Sequence, residues 1–208
     1  MPKSKIRKRV QPGPSRPLPF GGPSGSASRR LNVILVIAVA VVFAVAAYWW
    51  WSSQQGEARF LALVSAGQAA LAKVETLPDL GRTHLAPGQT HTYATPFPTS
   101  GPHVTTWTRT GFHSDTQAPT LVVHALEHGN IVIYYDSPGA DVIADLKAWA
   151  SLYDGQWDGV VVIPSPGLGQ GIVMTAWRKV LRLDPFDPAA AAAFIDTFRG
   201  RGPEHPVR

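Results

Sequence analysis

Six of the seven histidines lie between residues 84 and 128. Two of them bracket the densest polar feature of the chain, His124-Ala125-Leu126-Glu127-His128. The chain has no cysteine, so imidazole is its strongest transition-metal ligand, and a neighbouring carboxylate can ligate, orient a ligand or act as a base. The string reads H-x-x-E-H, as in inverted zinc peptidases. That motif needs a helix, on which histidines at i and i+4 share one face. Here Leu121-Val122-Val123 lead in, and Gly129 followed by Ile131-Val132-Ile133 leads out. The pattern predicts a strand over Thr120–Ala125, a turn at Leu126–Gly129 and a second strand over Asn130–Tyr135. A third peptidase ligand is also missing on this reading, because the one glutamate downstream, Glu204, falls in a tail expected to be frayed.

A strand end and a turn can still aim His124 and His128 at one point. The best-placed third ligand is His103, at the end of Pro98-Thr99-Ser100-Gly101-Pro102-His103, where glycine and proline stiffen the turn that carries it. Zinc or copper suits such a set, with Glu127 as an orienting carboxylate or a weaker ligand. The plainer alternative makes these histidines hydrogen-bonded parts of a polar core that tie an irregular loop to the sheet. His84, His91 and His113 read as solvated or capping loop residues. No serine–histidine–aspartate arrangement can be assigned.

The elements that must position these residues follow from composition. The 208 residues suffice for one ordinary domain and a short appendage. The formal charge of +5 is uneven: residues 1–30 hold eight cations and no acid, leaving 11 cations and 14 acids, net −3, for the rest. The folded part has no positive excess, which argues against nucleic acid as a partner. Residues 1–30, with six prolines, predict a disordered basic arm that hugs anionic lipid. Leu31–Trp51 is almost wholly apolar and, at about 1.5 Å per residue, spans roughly 30 Å, the thickness of a bilayer core. Arg29 and Arg30 flank one end and Tyr48-Trp49-Trp50-Trp51 the other. This predicts an uncleaved single-pass anchor with a cytoplasmic N-terminus and an extracytoplasmic C-terminal domain.

Residues 52–78 predict a membrane-proximal helix or stalk, ended by Pro78. Leu77–Pro119 is rich in proline, glycine and threonine, and long irregular segments of this kind tend to be functional. Beyond it, Ala140–Tyr153 carries a helical stripe. Val160–Ile163, Gly171–Trp177 and Val180–Leu183 read as strands. Asp187-Pro188 caps a last helix. The fold class is α+β: an N-terminal transmembrane helix, then, over residues 79–208, a two-layer domain with a mixed or antiparallel sheet of about five strands and two or three helices.

Four strings appear in order: Pro96-Phe97-Pro98-Thr99-Ser100-Gly101-Pro102-His103, Val123-His124-Ala125-Leu126-Glu127-His128-Gly129, Pro164-Ser165-Pro166-Gly167-Leu168 and Thr175-Ala176-Trp177. Together they resemble the DUF3105 family, as does the closing Phe198-Arg199-Gly200-Arg201-Gly202-Pro203-Glu204. Phe97 stands where a second proline is usual in that family, Ser165 where an aromatic is usual, and Arg178 where glycine often follows the tryptophan. Thr110 lies near a position where some members have cysteine. The resemblance implies an anchored bacterial envelope domain and places His103, His124, Glu127 and His128 in shared motifs. His84, in Thr83-His84-Leu85-Ala86-Pro87-Gly88, resembles a further family histidine and so becomes a candidate fourth ligand.

Three functions fit. The first is a membrane-anchored domain binding zinc or copper through His103, His124 and His128, with His84 and Glu127 as weaker ligands. The second is a metal-free module that docks an envelope protein. The third is a metal-dependent hydrolase with Glu127 as its base.

Overall fold

The computed structural model describes residue 13 and residues 25–208, with side chains from residue 29 onward. The expected basic arm over residues 1–30 therefore lies largely outside the described residues. The described residues fall into two compact units that divide between Tyr48 and Trp49. The first contributes the opening part of α1 (Gly25–Gly67), a helix long and apolar enough to cross a membrane. Leu31 to Trp51 carries no charged side chain, and its large apolar groups face outward.

In the second unit α1 runs on to Gly67 and passes through a 3₁₀ turn, Gln68–Lys73, into β1 (Glu75–Thr76). Then follow β2 (Gly111–Phe112), α2 (Pro119–Glu127), β3 (Ile131–Tyr135), α3 (Ala140–Leu152), β4 (Val160–Pro164), β5 (Ile172–Ala176), β6 (Lys179–Leu183) and α4 (Pro188–Phe198). The α+β class holds, with six strands in one mixed sheet ordered β1-β6-β5-β3-β4-β2. β3 pairs parallel with β4, and β4 with β2, while β1, β6, β5 and β3 pair antiparallel in turn.

Both sheet faces are apolar, as the unbroken hydrophobic runs of β3, β4 and β5 require. Ile131, Ile133, Val160, Val162, Met174 and Leu181 face one way, against Phe60 of α1, Leu146 and Trp149 of α3 and Phe194 of α4. The alternate residues Val132, Tyr134, Val161, Val173 and Val180 face the other way, against Val122, Ala125 and Leu126 of α2. Asp187 caps α4 as expected, its Oδ1 accepting from the amides of Ala189 and Ala190.

One expectation fails, and the failure concerns the site. Thr120–Ala125 is not a strand, and Leu126–Gly129 is not a hairpin turn. Both belong to α2 and its termination. Pro119 opens the helix, where its missing N–H costs nothing. Gly129, at φ 98°, closes it. The Gly129 amide donates to Leu126 O (3.0 Å) and the Asn130 amide to Ala125 O (3.1 Å), the paired bonds of a Schellman end. The valines suggested a strand because they suit a half-buried surface, and here that surface is the apolar face of a helix.

The chain returns to this helix end at its C-terminus. The Gly200 amide donates to Gly129 O (2.8 Å) and the Glu204 amide to Glu127 O (3.3 Å). Between them Gly202 passes so close that a Cβ there would overlap the Glu127 carbonyl oxygen and the Gly129 nitrogen. Only glycine allows that approach. A Gly202→Ala variant should therefore lift the tail, at a cost of about 1–3 kcal/mol. The expected readouts are a lower Tm and faster proteolysis within residues 201–208; wild-type values of both would contradict the close packing.

Candidate metal centre

On α2 the helical period puts His124, Glu127 and His128 on one stripe, away from the sheet. Opposite them runs the irregular segment between β1 and α2. Two of its stretches are zipped together: the Gly101 amide donates to Gly81 O (2.8 Å), the His103 amide to Thr83 O (3.0 Å) and the Leu85 amide to His103 O (2.7 Å). This sets His84 beside His103, ring centroids 5.0 Å apart. The tail completes the enclosure. Arg82 Nη1 donates to Pro203 O (3.0 Å), and Glu204 comes over the His128 ring edge.

Hydrogen bonding fixes which ring nitrogens are free. His124 Nδ1 lies 2.6 Å from Val104 O, and His103 Nδ1 lies 2.8 Å from Gly101 O. A carbonyl oxygen only accepts, so both Nδ1 atoms carry the proton, which leaves the Nε2 lone pairs pointing inward. His124 Nε2 faces His128 Nε2 at 3.1 Å. Glu204 Oε2 lies 3.1 Å from His128 Nε2 and 3.8 Å from His124 Nε2. His103 Nε2 faces Glu127 Oε2 at 2.9 Å, with His84 Nε2 3.7 Å from the same oxygen.

Two ligand groupings result. Ligand atoms of His124, His128 and Glu204 lie within 4.8 Å of one another, and so do those of His84, His103 and His124. The structure thus brings together all five residues singled out from sequence, but places His103 and His128 in different groupings. It adds Glu204, which the sequence alone places in a tail expected to be frayed. His91 and His113 stay apart: His91 packs edge-on against Tyr93, and His113 Nε2 donates to Arg109 O.

The walls are dry. His103, His124, His128 and Glu127 are buried, and the His128 ring lies 4.5 Å from Trp107 and 4.1 Å from Trp157 by centroid. Solvent reaches the cluster at His84 and Glu204, whose side chains are 45% and 40% exposed. Burial pushes the His128 imidazole down to about 4, helped by the neighbouring His124 and opposed by Glu204. Burial also lowers His124, while its bond to the Val104 carbonyl works the other way. Nδ1 of His128 makes no well-formed hydrogen bond, although the Gln156 backbone is near enough to favour its protonation. Near neutral pH these two rings are therefore neutral, each with one nitrogen lone pair free to ligate.

The family model for DUF3105, a protein family of unknown function, matches residues 84–208. The chain belongs to the DUF3105 family. Every residue of the cluster falls inside the matched span, so the site is built wholly from the DUF3105 region. No curated protein and no solved structure matches the chain.

The depressed histidines give the metal-free protein a signed pH dependence. A group whose folded-state value lies below its unfolded one stabilises fully above the unfolded value, about 6.5 for histidine. That stability is lost as pH falls through the folded value. With chelator present, Tm should fall between pH 6.5 and about 4, and His128→Gln should flatten the fall. A Tm curve identical in the two proteins would contradict the neutral, buried state of His128.

Proposed function

We propose that this DUF3105 chain is a single-pass, membrane-anchored protein whose extracytoplasmic domain binds a divalent transition-metal ion, zinc or copper, at the histidine cluster. One observation carries the reading. His124 Nε2, His128 Nε2 and Glu204 Oε2 form a triangle with edges of 3.1, 3.1 and 3.8 Å. Ligands about 2.0–2.1 Å from a tetrahedral ion stand about 3.3 Å apart, the mean of those edges. The same three atoms fit a hydrogen-bonded polar core poorly. His128 Nε2 can carry one proton, yet it faces two acceptors, so one close contact sets lone pair against lone pair unless a cation intervenes. His103, the third ligand expected from sequence, turns its lone pair to Glu127 and serves the neighbouring grouping.

Anchoring rests on α1, whose apolar stretch has the length and lipid-facing composition of a span. The cytoplasmic placement of the N-terminus rests on the eight cations preceding that stretch. The hydrolase alternative gains the helix that the H-x-x-E-H string requires. It loses its base, because Glu127 Oε2 is engaged by His103. Binding therefore ranks above hydrolysis. The metal-free docking module keeps the carbonyl bonds of His103 and His124 as loop braces but gives Glu204 no role.

The test uses the untagged full-length chain in detergent, purified without chelator, loaded with zinc or copper and dialysed before elemental analysis. His124→Ala/His128→Ala should hold one ion fewer per chain than wild type, and Glu204→Gln should weaken affinity at least tenfold. A folded wild-type protein that retains neither metal would sink the proposal.

A further inference from the structure

The triangle just described uses one carboxylate and two of the four clustered imidazoles. The other three groups, His84, His103 and Glu127, have the same composition, and both histidines approach one Glu127 oxygen. His103 is fully buried, and its Nδ1–H is committed to Gly101 O. Its Nε2 lone pair is aimed at Glu127 Oε2, 2.9 Å away. Glu127 is buried too, with His84 Nε2 3.7 Å from that oxygen. A lone pair facing a carboxylate oxygen needs a positive centre between them, either a proton or a metal ion. His124 cannot supply a ligand here as well, because its Nδ1 is held by Val104 O and its single free lone pair faces His128 and Glu204.

We infer that the cluster is a two-ion centre, with a second divalent cation held by His84, His103 and Glu127 beside the first. This deepens the proposed metal site and rests on that reading. Each half supplies two imidazoles and one carboxylate, a donor set suited to zinc and to other first-row divalent ions. The edges of the second set that meet Glu127, 2.9 and 3.7 Å, bracket the spacing of about 3.3 Å expected around a tetrahedral ion. The halves abut, the rings of His84 and His124 stacking with centroids 5.2 Å apart. The second half also has a door: His84 is half-exposed, so an ion can reach buried His103 and Glu127 through it.

Stoichiometry distinguishes this inference from the reading beneath it. Full-length protein in detergent is loaded with copper and dialysed, and bound metal is measured with far-UV circular dichroism as a check of folding. Two ions per chain are expected for wild type. His84→Ala alters a half-exposed residue that the core does not use; it should fall to one ion, and Glu127→Gln should do the same. His128→Ala should also fall to one, but through the other set, so His84→Ala/His128→Ala should approach none. A second readout is electron paramagnetic resonance of the copper-loaded forms. Abutting ions give a spin-coupled spectrum in wild type, and each single variant gives that of an isolated ion. Wild type holding one ion that His128→Ala removes and His84→Ala leaves intact would overturn the second site while preserving the first. Wild type holding none would remove both.

Discussion

Two backbone carbonyls, those of Gly101 and Val104, set which histidine nitrogens of the cluster are free. Each accepts the Nδ1 proton of a buried histidine and so turns the opposite nitrogen, with its lone pair, into the interior. Without those bonds His103 and His124 could take either tautomer, and the cluster would be an ordinary polar core. With them, the inward-facing atoms are almost all acceptors. A protein interior tolerates that only where something positive sits among them. The irregular loop earns its length here: its zipped stretches serve to present two carbonyls at fixed places opposite α2.

The position of Glu204 depends on contact between backbones. Tail and helix end approach through Gly202 and Gly129, closer than any side chain would permit. Glu204 reaches His128 because two residues, Gly129 and Gly202, are spared a Cβ clash at that crossing. The tail is pinned from its far side as well: the Arg208 guanidinium pairs with Asp196, and the amides of Val207 and Arg208 return to Gly200 O. A tail of ten residues, 199–208, that reads as a loose end is thus a wall of the cluster.

What could be read from sequence divides along the same line. The α+β class, the strands from Val160 onward, α3 and the capped α4 follow from local periodicity and turn chemistry, and they stand as expected. The residues of the cluster were visible as residue types, since imidazoles crowded into one stretch are unusual. Their grouping was not visible. Helix α2 reads as a strand because its two valines outweigh the punctuation around them, although proline at the first position and glycine after the last mark a helix. Glu204 was missed because its placement comes from the Gly200–Gly202 backbone contact, a long-range fact with only a local trace in the Gly-Arg-Gly-Pro-Glu string. Loops and tails owe their course to such contacts, and periodicity carries no information about them.

The central claim is that His124, His128 and Glu204 converge on a cation. The most direct test is anomalous diffraction at the zinc edge from crystals of the zinc-loaded chain. The account predicts a peak about 2.0–2.2 Å from His124 Nε2, His128 Nε2 and a Glu204 oxygen together. Zinc found only at surface positions, with the three ligand atoms still joined by hydrogen bonds among themselves, would contradict it.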